Sequence, residues 1–145
     1  MSQQNTLDSS QPLFATISAI LGLPPLAHAR LAAGEPIVGP SGFLCRIHTQ
    51  RRDQPVRAFP EIILPLSARE LGGDDVVRLL AVQETLLTEC GWRLAMSEQG
   101  LLCLMPLMSE SGAETIAALL NQGQTIARSV LHVLTQSTAT GGALS

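Results

Sequence analysis

The chain has 145 residues, a length that suits one globular domain with a sizeable core. Its formal charge is −3 at pH 7 and it contains no lysine, so it lacks a broad basic surface and nucleic acid is not expected as a partner. Hydrophobic residues make up 46% of the chain and charged residues only 14%, which indicates apolar surface beyond the needs of one core and favours binding to another protein.

The sequence also bears on location and redox state. The N-terminal residues lack the basic and apolar regions of a signal peptide, and no apolar run approaches the roughly 18 residues of a membrane span. We therefore expect a cytoplasmic protein without membrane insertion. The cysteines Cys45, Cys90 and Cys103 are odd in number and lie in apolar runs, which predicts reduced thiols that pack like small hydrophobic side chains.

The first regular element is predicted to be a short helix. Residues 1–10 are polar and are expected to form a mobile tail. Ser10 is a candidate N-cap, apolar residues recur at helical spacing as far as Leu21, and Gly22 begins the stop signal. Residues 26–42 are interrupted by prolines and glycines, so we interpret them as a connector with at most a brief strand at 36–38.

Two strands are predicted next. Strand-forming residues dominate 43–49 and 56–66, and the polar segment 50–54 between them is typical of a hairpin loop. Pro60 and Pro65 cannot donate hydrogen bonds to a sheet, which predicts that the second strand lies at an edge or is interrupted.

A second helix is predicted to begin at an Asp74 cap and to end at Gly91 in a left-handed conformation. Its apolar face is broader than docking on a thin sheet requires, which predicts a homodimer. The residues assigned to the dimer interface are Val76, Leu79, Leu80, Leu86 and Leu87.

The remaining pattern predicts a hairpin and a long helix. The hairpin pairs residues 92–96 with 101–105, the helix follows a capping box at Ser111, and residues 136–145 form a second mobile tail. The order within the single domain, residues 11–135, is α-β-β-α-β-β-α. It describes an α+β fold with helices packed on a largely antiparallel sheet.

The strand at 101–105 is apolar on both of its faces. Helices of a small domain cover one face of such a strand. The other face needs a second layer, which is the chain's own remaining helix, a second subunit or a bound polypeptide.

Motifs for chemistry are sparse. Cys45 and His48 have the spacing of half a metal site, but their odd separation in one strand directs them to opposite faces. No phosphate-binding or nucleophile motif occurs, so we predict no catalytic residue, cofactor or metal. A basic cluster is interpreted either as a solvated hairpin tip or as a docking site for an acidic partner segment; it comprises Arg46, Arg51, Arg52 and Arg57.

One stretch of the sequence carries a family resemblance. It reads Leu86-Leu87-x-x-x-Gly91-Trp92-x-Leu94-Ala95-x-x-x-x-Gly100-x-Leu102-x-Leu104-x-Pro106-Leu107 and is followed by the long amphipathic helix. Over about residues 74–134 the chain resembles the class I type III secretion chaperones of Gram-negative bacteria, the Tir-chaperone-like family, which is recognised by its order of elements.

This resemblance implies a homodimer, often formed through the second helix, that binds the extended N-terminal segment of a secreted effector. Binding would proceed without covalent chemistry or ATP, and a separate secretion ATPase would release the effector. The effector would lie against apolar patches on the first helix and the sheet.

We assign partner binding to Phe14, Ile17 and Leu21 on the first helix and to Leu44 and Ile63 on the strands, because the short helix is more apolar than its own docking requires. The alternative is that Phe14 and Ile17 are ordinary core residues. Two other functions stay open: a regulatory or assembly dimer that binds a folded partner, and a small enzyme that uses Cys45 or Cys103 with a histidine.

Overall fold

The computed structural model describes residues 2–50 and 56–144. Its helices are α1 (Ser2–Leu21), α2 (Ala27–Ala32), α3 (Gly73–Thr85), which continues as a π-helical turn (Leu86–Cys90), and α4 (Ala113–Leu144). Its strands are β1 (Ile37–Val38), β2 (Leu44–Gln50), β3 (Arg57–Ser67), β4 (Trp92–Met96) and β5 (Leu101–Pro106).

The five strands form one antiparallel sheet with the order β1-β2-β3-β5-β4. Helices pack on this sheet, so the prediction of an α+β fold is confirmed. Two elements fall in the segment interpreted as a connector: β1, which lies where a brief strand at 36–38 was allowed, and α2, which was not predicted. The six residues of α2 are mostly good helix formers, but so short a helix depends on tertiary packing, which a sequence pattern does not reveal.

The helix boundaries differ from those predicted. The first helix begins at Ser2 rather than after a cap at Ser10, with Pro12 inside it. The last helix runs to Leu144, through the segment predicted as a C-terminal tail. The mobility of residues 1–10 and 136–145 stays a prediction. Asp74 is not the cap of α3, because the helix begins at Gly73, and Asp75 Oδ2 instead accepts a hydrogen bond from Gly72 N over 3.0 Å.

The edge position predicted for β3 is wrong, because this strand lies between β2 and β5. The alternative, an interruption, is what the pairing with β5 shows. Its register shifts between Ile63 and Ser67, where Pro65 lies. On the side of β3 that faces β5, Pro60 lies between two paired positions: Ala58, which bridges to Glu110, and Ile62, which pairs with Leu104. Its missing N–H therefore falls in a gap of the ladder between β3 and β5.

The core lies between one face of the sheet and helices α4 and α2, with α1 packed against both of these helices. Gly123 of α4 permits the closest approach, since a Cβ there would stand 2.5 Å from Trp92 Cη2 and 2.8 Å from Ile62 Cγ1. The largest fully buried apolar side chains are Trp92, Phe14, Ile17, Leu31, Ile47, Ile62, Leu64, Leu104, Ile116, Leu120 and Leu134.

The outer edge of the sheet at β4 is held by a side chain of α3. The amide of Gln83 donates from Nε2 to the carbonyl of Leu94 over 3.2 Å and accepts from the Leu94 N–H over 2.7 Å. One glutamine side chain thus satisfies both main-chain groups of the middle residue of this edge strand. At the other end of the helix, Gly91 has φ 72° and closes the π-helical turn, as predicted.

Candidate interaction surfaces

The predicted partner-binding residues on α1 are part of the core. Phe14 and Ile17 are fully inaccessible and Leu21 is buried. Both α2 and α4 pack against α1, and its apolar face is therefore covered within the chain. This corrects the expectation that part of the face lines an open groove. The structure shows the alternative that the sequence left open, in which Phe14 and Ile17 are ordinary core residues.

Leu44 and Ile63 lie on a different surface. Side chains of β2 to β5 that point away from α1 and α4 form what we call the open sheet face, on which Leu44 and Ile63 stand directly opposite each other. Leu44 is 44% exposed and Ile63 is half-buried. Together with Phe43 and Leu101 they border a pocket of about 210 Å³ at one end of the sheet.

The two faces of β5 have different surroundings. Leu102 and Leu104 belong to the core, whereas Leu101 and Met105 on the open sheet face are only partly buried. The remaining helix, α3, packs chiefly on α4 and on its own π-helical turn. Of the three layers considered for this face, a second subunit and a bound polypeptide therefore remain.

Glu61 of β3 lies in the middle of the open sheet face. Its Oε1 atom is 3.0 Å from His48 Nε2 and 3.8 Å from Arg46 Nη1. The hydrogen bond with His48 is the main reason why the pKa of Glu61 lies below its ordinary value; burial opposes this shift, and a hydrogen bond with Cys103 and the charge of Arg46 support it. The group is an ionised carboxylate held by its neighbours.

The thiols of Cys45 and Cys103 are buried on opposite faces of the sheet. Burial raises the pKa of each to about 12, and for Cys103 the hydrogen bond with Glu61 adds to the effect. Both thiols are therefore protonated at neutral pH. Cys45 shares the core face of β2 with Ile47, and His48 points to the open sheet face, so the predicted separation of Cys45 and His48 is confirmed.

Metal ligands do not gather in the part of the chain that the structure describes: no three His, Cys, Asp or Glu side chains could hold an ion together. In the same part, none of the helices combines the length and apolar character that crossing a membrane requires.

The residues predicted for the dimer interface divide between surface and core. Val76, Leu80 and Leu87 are exposed, with 65% of Leu80 accessible, and Leu79 is half-buried. Leu86 is only 4% exposed and packs in the chain's own core, so its assignment to an interface is corrected. The reason is that Leu86 lies on the side of the helix that faces Ile126 and Val130 of α4. We call the exposed residues Val76, Val77, Leu80 and Leu87 the α3 stripe; Val77 was missed because it lies one helical step outside the predicted face.

An apolar groove separates α3 from α4. Its volume is about 400 Å³, and Val82, Leu86 and Cys90 on one side face Ile126 and Val130 on the other. This groove lies on the side of α3 that faces α4, whereas the α3 stripe faces away from it.

Of the predicted basic cluster, Arg46 and Arg57 both lie on the open sheet face but make different contacts. Arg46 lies beside Glu61, whereas Arg57 donates from Nε and Nη2 to the side chain and carbonyl of Ser109. Arg51 and Arg52 lie outside the described residues. Arg93 of β4 also points to the open sheet face. It was not predicted to belong with Arg46, because the two residues share one row of the sheet only through the register of four strands.

Comparison with known proteins gives no match: no family model, no curated protein and no solved structure is significantly similar to the chain.

Proposed function

We propose that this chain is a homodimeric cytoplasmic chaperone of a Gram-negative bacterium. It binds the extended N-terminal segment of a type III secreted effector and keeps that effector soluble and competent for secretion. The observation that carries the proposal is that the fold leaves two partly apolar surfaces exposed on different elements, the α3 stripe and the open sheet face.

The two surfaces suit different partners. A helix face such as the α3 stripe can pair with its own copy about a twofold axis, which is the commonest arrangement in homodimers. The open sheet face is a pleated surface with rows of side chains, which can pack against the side chains of an extended polypeptide. We assign the first surface to the second subunit and the second to the effector.

The thiol chemistry favours binding over catalysis. The nucleophile in cysteine chemistry is the thiolate, and the raised pKa values of Cys45 and Cys103 keep both groups protonated at neutral pH. A cysteine-dependent enzyme would need a thiol whose pKa is lowered by its surroundings.

The proposal is tested by co-expressing the chain with the product of an adjacent reading frame that has a disordered N-terminal region. We expect a dimer by light scattering and protection of that region against limited proteolysis. Leu44→Asp, at a 44% exposed position on the open sheet face, should remain a dimer and lose the protection. Leu26→Asp, in the loop before α2 and 79% exposed, is the control and should retain it.

Two results would contradict the proposal. A dimer that binds this product without protecting any extended segment would indicate the alternative, an assembly or regulatory dimer that binds a folded protein. A chain that stays monomeric at micromolar concentration would remove the subunit interface assigned to the α3 stripe.

A further inference from the structure

A row of charged side chains crosses the open sheet face. Arg46 pairs with Glu61 across β2 and β3, and Arg93 pairs with Met105 across β4 and β5. The pair formed by Ile62 and Leu104 brings Glu61 next to Met105, so the order across the four strands is Arg46, Glu61, Met105, Arg93. With three strand spacings between the ends, the two arginine positions lie roughly 14 Å apart.

The charges in this row do not balance. Two guanidinium groups face one carboxylate, and Glu61 is already engaged with His48 and Arg46 through a single oxygen. Arg46 Nε is buried and has no hydrogen-bond partner. The Arg46 side chain as a whole is 33% accessible, so its outer N–H groups are open to an acceptor. In a chain of net charge −3, this face is locally positive.

Apolar side chains flank the charged row on both sides. The next row towards one end of the sheet contains Leu44, Ile63 and Cys103, and the row towards the other end contains Phe59, which stacks on His48 with ring centroids 5.0 Å apart. A ligand that reaches the charges therefore also covers apolar surface.

We propose that the open sheet face recognises an extended polypeptide segment in which one acidic side chain is flanked by apolar residues. The carboxylate pairs with Arg93, a main-chain carbonyl accepts from the accessible N–H groups of Arg46, and the apolar residues cover Ile63 and Phe59. This inference rests on the proposed function and specifies the chemistry of the effector segment.

The carboxylate binds at the Arg93 end because Arg93 is separated from Glu61 by the uncharged Met105, which reduces repulsion between the two carboxylates. The distance between the two arginines corresponds to about four residues of extended chain. A small free anion is a poorer occupant of this face, because a single ion pair at an exposed surface contributes little and the apolar rows would stay uncovered.

The experiment selects binders from a random peptide library displayed on phage against the immobilised dimer. We expect the selected peptides to share a Glu or Asp between apolar residues. Synthetic peptides carrying Glu, Gln or Lys at that position are then titrated against the unchanged chain and against Arg93→Glu. The Glu peptide should bind Arg93→Glu about tenfold more weakly, and the Lys peptide should bind it more tightly than it binds the unchanged chain.

Arg128→Glu, at an exposed position of α4, makes the same change of charge away from the sheet and should leave all three affinities within about twofold. Arg46→Met should weaken the binding of all three peptides to the same extent, since it removes a contact to the peptide main chain. Bound peptides without a shared acidic position, or with equal affinity for Arg93→Glu, would overturn the acidic docking and leave the chaperone proposal standing. A library that yields no binding peptide would count against both.

Discussion

Glu61 organises the polar part of the open sheet face. Its carboxylate is almost completely buried yet ionised, because His48 and Arg46 on β2 both face it. A buried carboxylate of this kind links the stability of the fold to pH.

We predict that this link operates at acidic pH. The folded pKa of Glu61 lies below the ordinary value of 4.5, so its contribution to stability is complete above that value and is lost as the pH falls through the folded pKa. Glu61→Gln should therefore lower the free energy of unfolding at neutral pH, and the deficit should shrink as the pH is lowered below 4.5. Urea denaturation across this range measures the deficit; Glu89→Gln, at an exposed position, is the control.

Gly123 sets the distance between α4 and the sheet. A methyl group there would overlap the Trp92 ring and Ile62, and neither can move freely within the core. Gly123→Ala should therefore destabilise the fold by about 1–3 kcal/mol, although alanine is the better helix former. Gly73→Ala, where a Cβ meets no atom within 4 Å, should have little effect on the melting temperature. Equal melting temperatures for both variants would contradict this packing.

At the scale of elements, α3 is a helix without a buried residue between Gly73 and Thr85. Its half-buried residues Leu79 and Val82 pack against the core, but its exposed apolar side would gain stability from a further packing partner. In our proposal that partner is the same helix of a second subunit.

We predict that Leu80→Asp yields a folded monomer. Leu80 is 65% exposed, so a charge there disrupts the subunit contact without entering the core. Leu86→Asp, six residues further along the same helical path, should instead unfold the chain because Leu86 is 4% exposed. Light scattering and circular dichroism distinguish the two results. A dimeric Leu80→Asp would place the subunit interface elsewhere.

The elements that the sequence predicts well are those with a strong local period. The hairpin around Ser97 and Gly100, the glycine that ends the π-helical turn and the long stripe of α4 follow from spacing alone. The position of β3 in the centre of the sheet did not follow from its sequence, because its two prolines indicated either an edge or an interruption, and only the long-range pairing with β5 shows the interruption.

At the scale of the whole molecule, one core joins α1 and α4 to the sheet. An apolar helix face looks the same in sequence whether it packs internally or binds a partner, so the role of Phe14 was decided by the position of α4. The charged row on the open sheet face was likewise beyond the sequence, since Arg46 and Arg93 become neighbours only through the register of four strands.

We predict that Phe14→Asp unfolds the chain rather than releasing a partner from an intact surface. Phe14 is 0% exposed, and even truncation of such a side chain to alanine costs about 3–5 kcal/mol, a large fraction of the stability of a domain of this size. This variant should show neither a cooperative thermal unfolding transition nor a dimer, whereas Phe14→Leu should show both. A folded and dimeric Phe14→Asp would show that α1 is not essential to the core.

The bonds between Gln83 and Leu94 make the two edges of the sheet unequal. The centre of β4 is already occupied by a side chain, whereas β1 pairs with only Leu44 and Cys45 of β2 in the described residues. Fibrillar growth requires two complementary edges on every unit, so engagement of the centre of β4 disfavours open-ended assembly after a polypeptide adds a strand beyond β2.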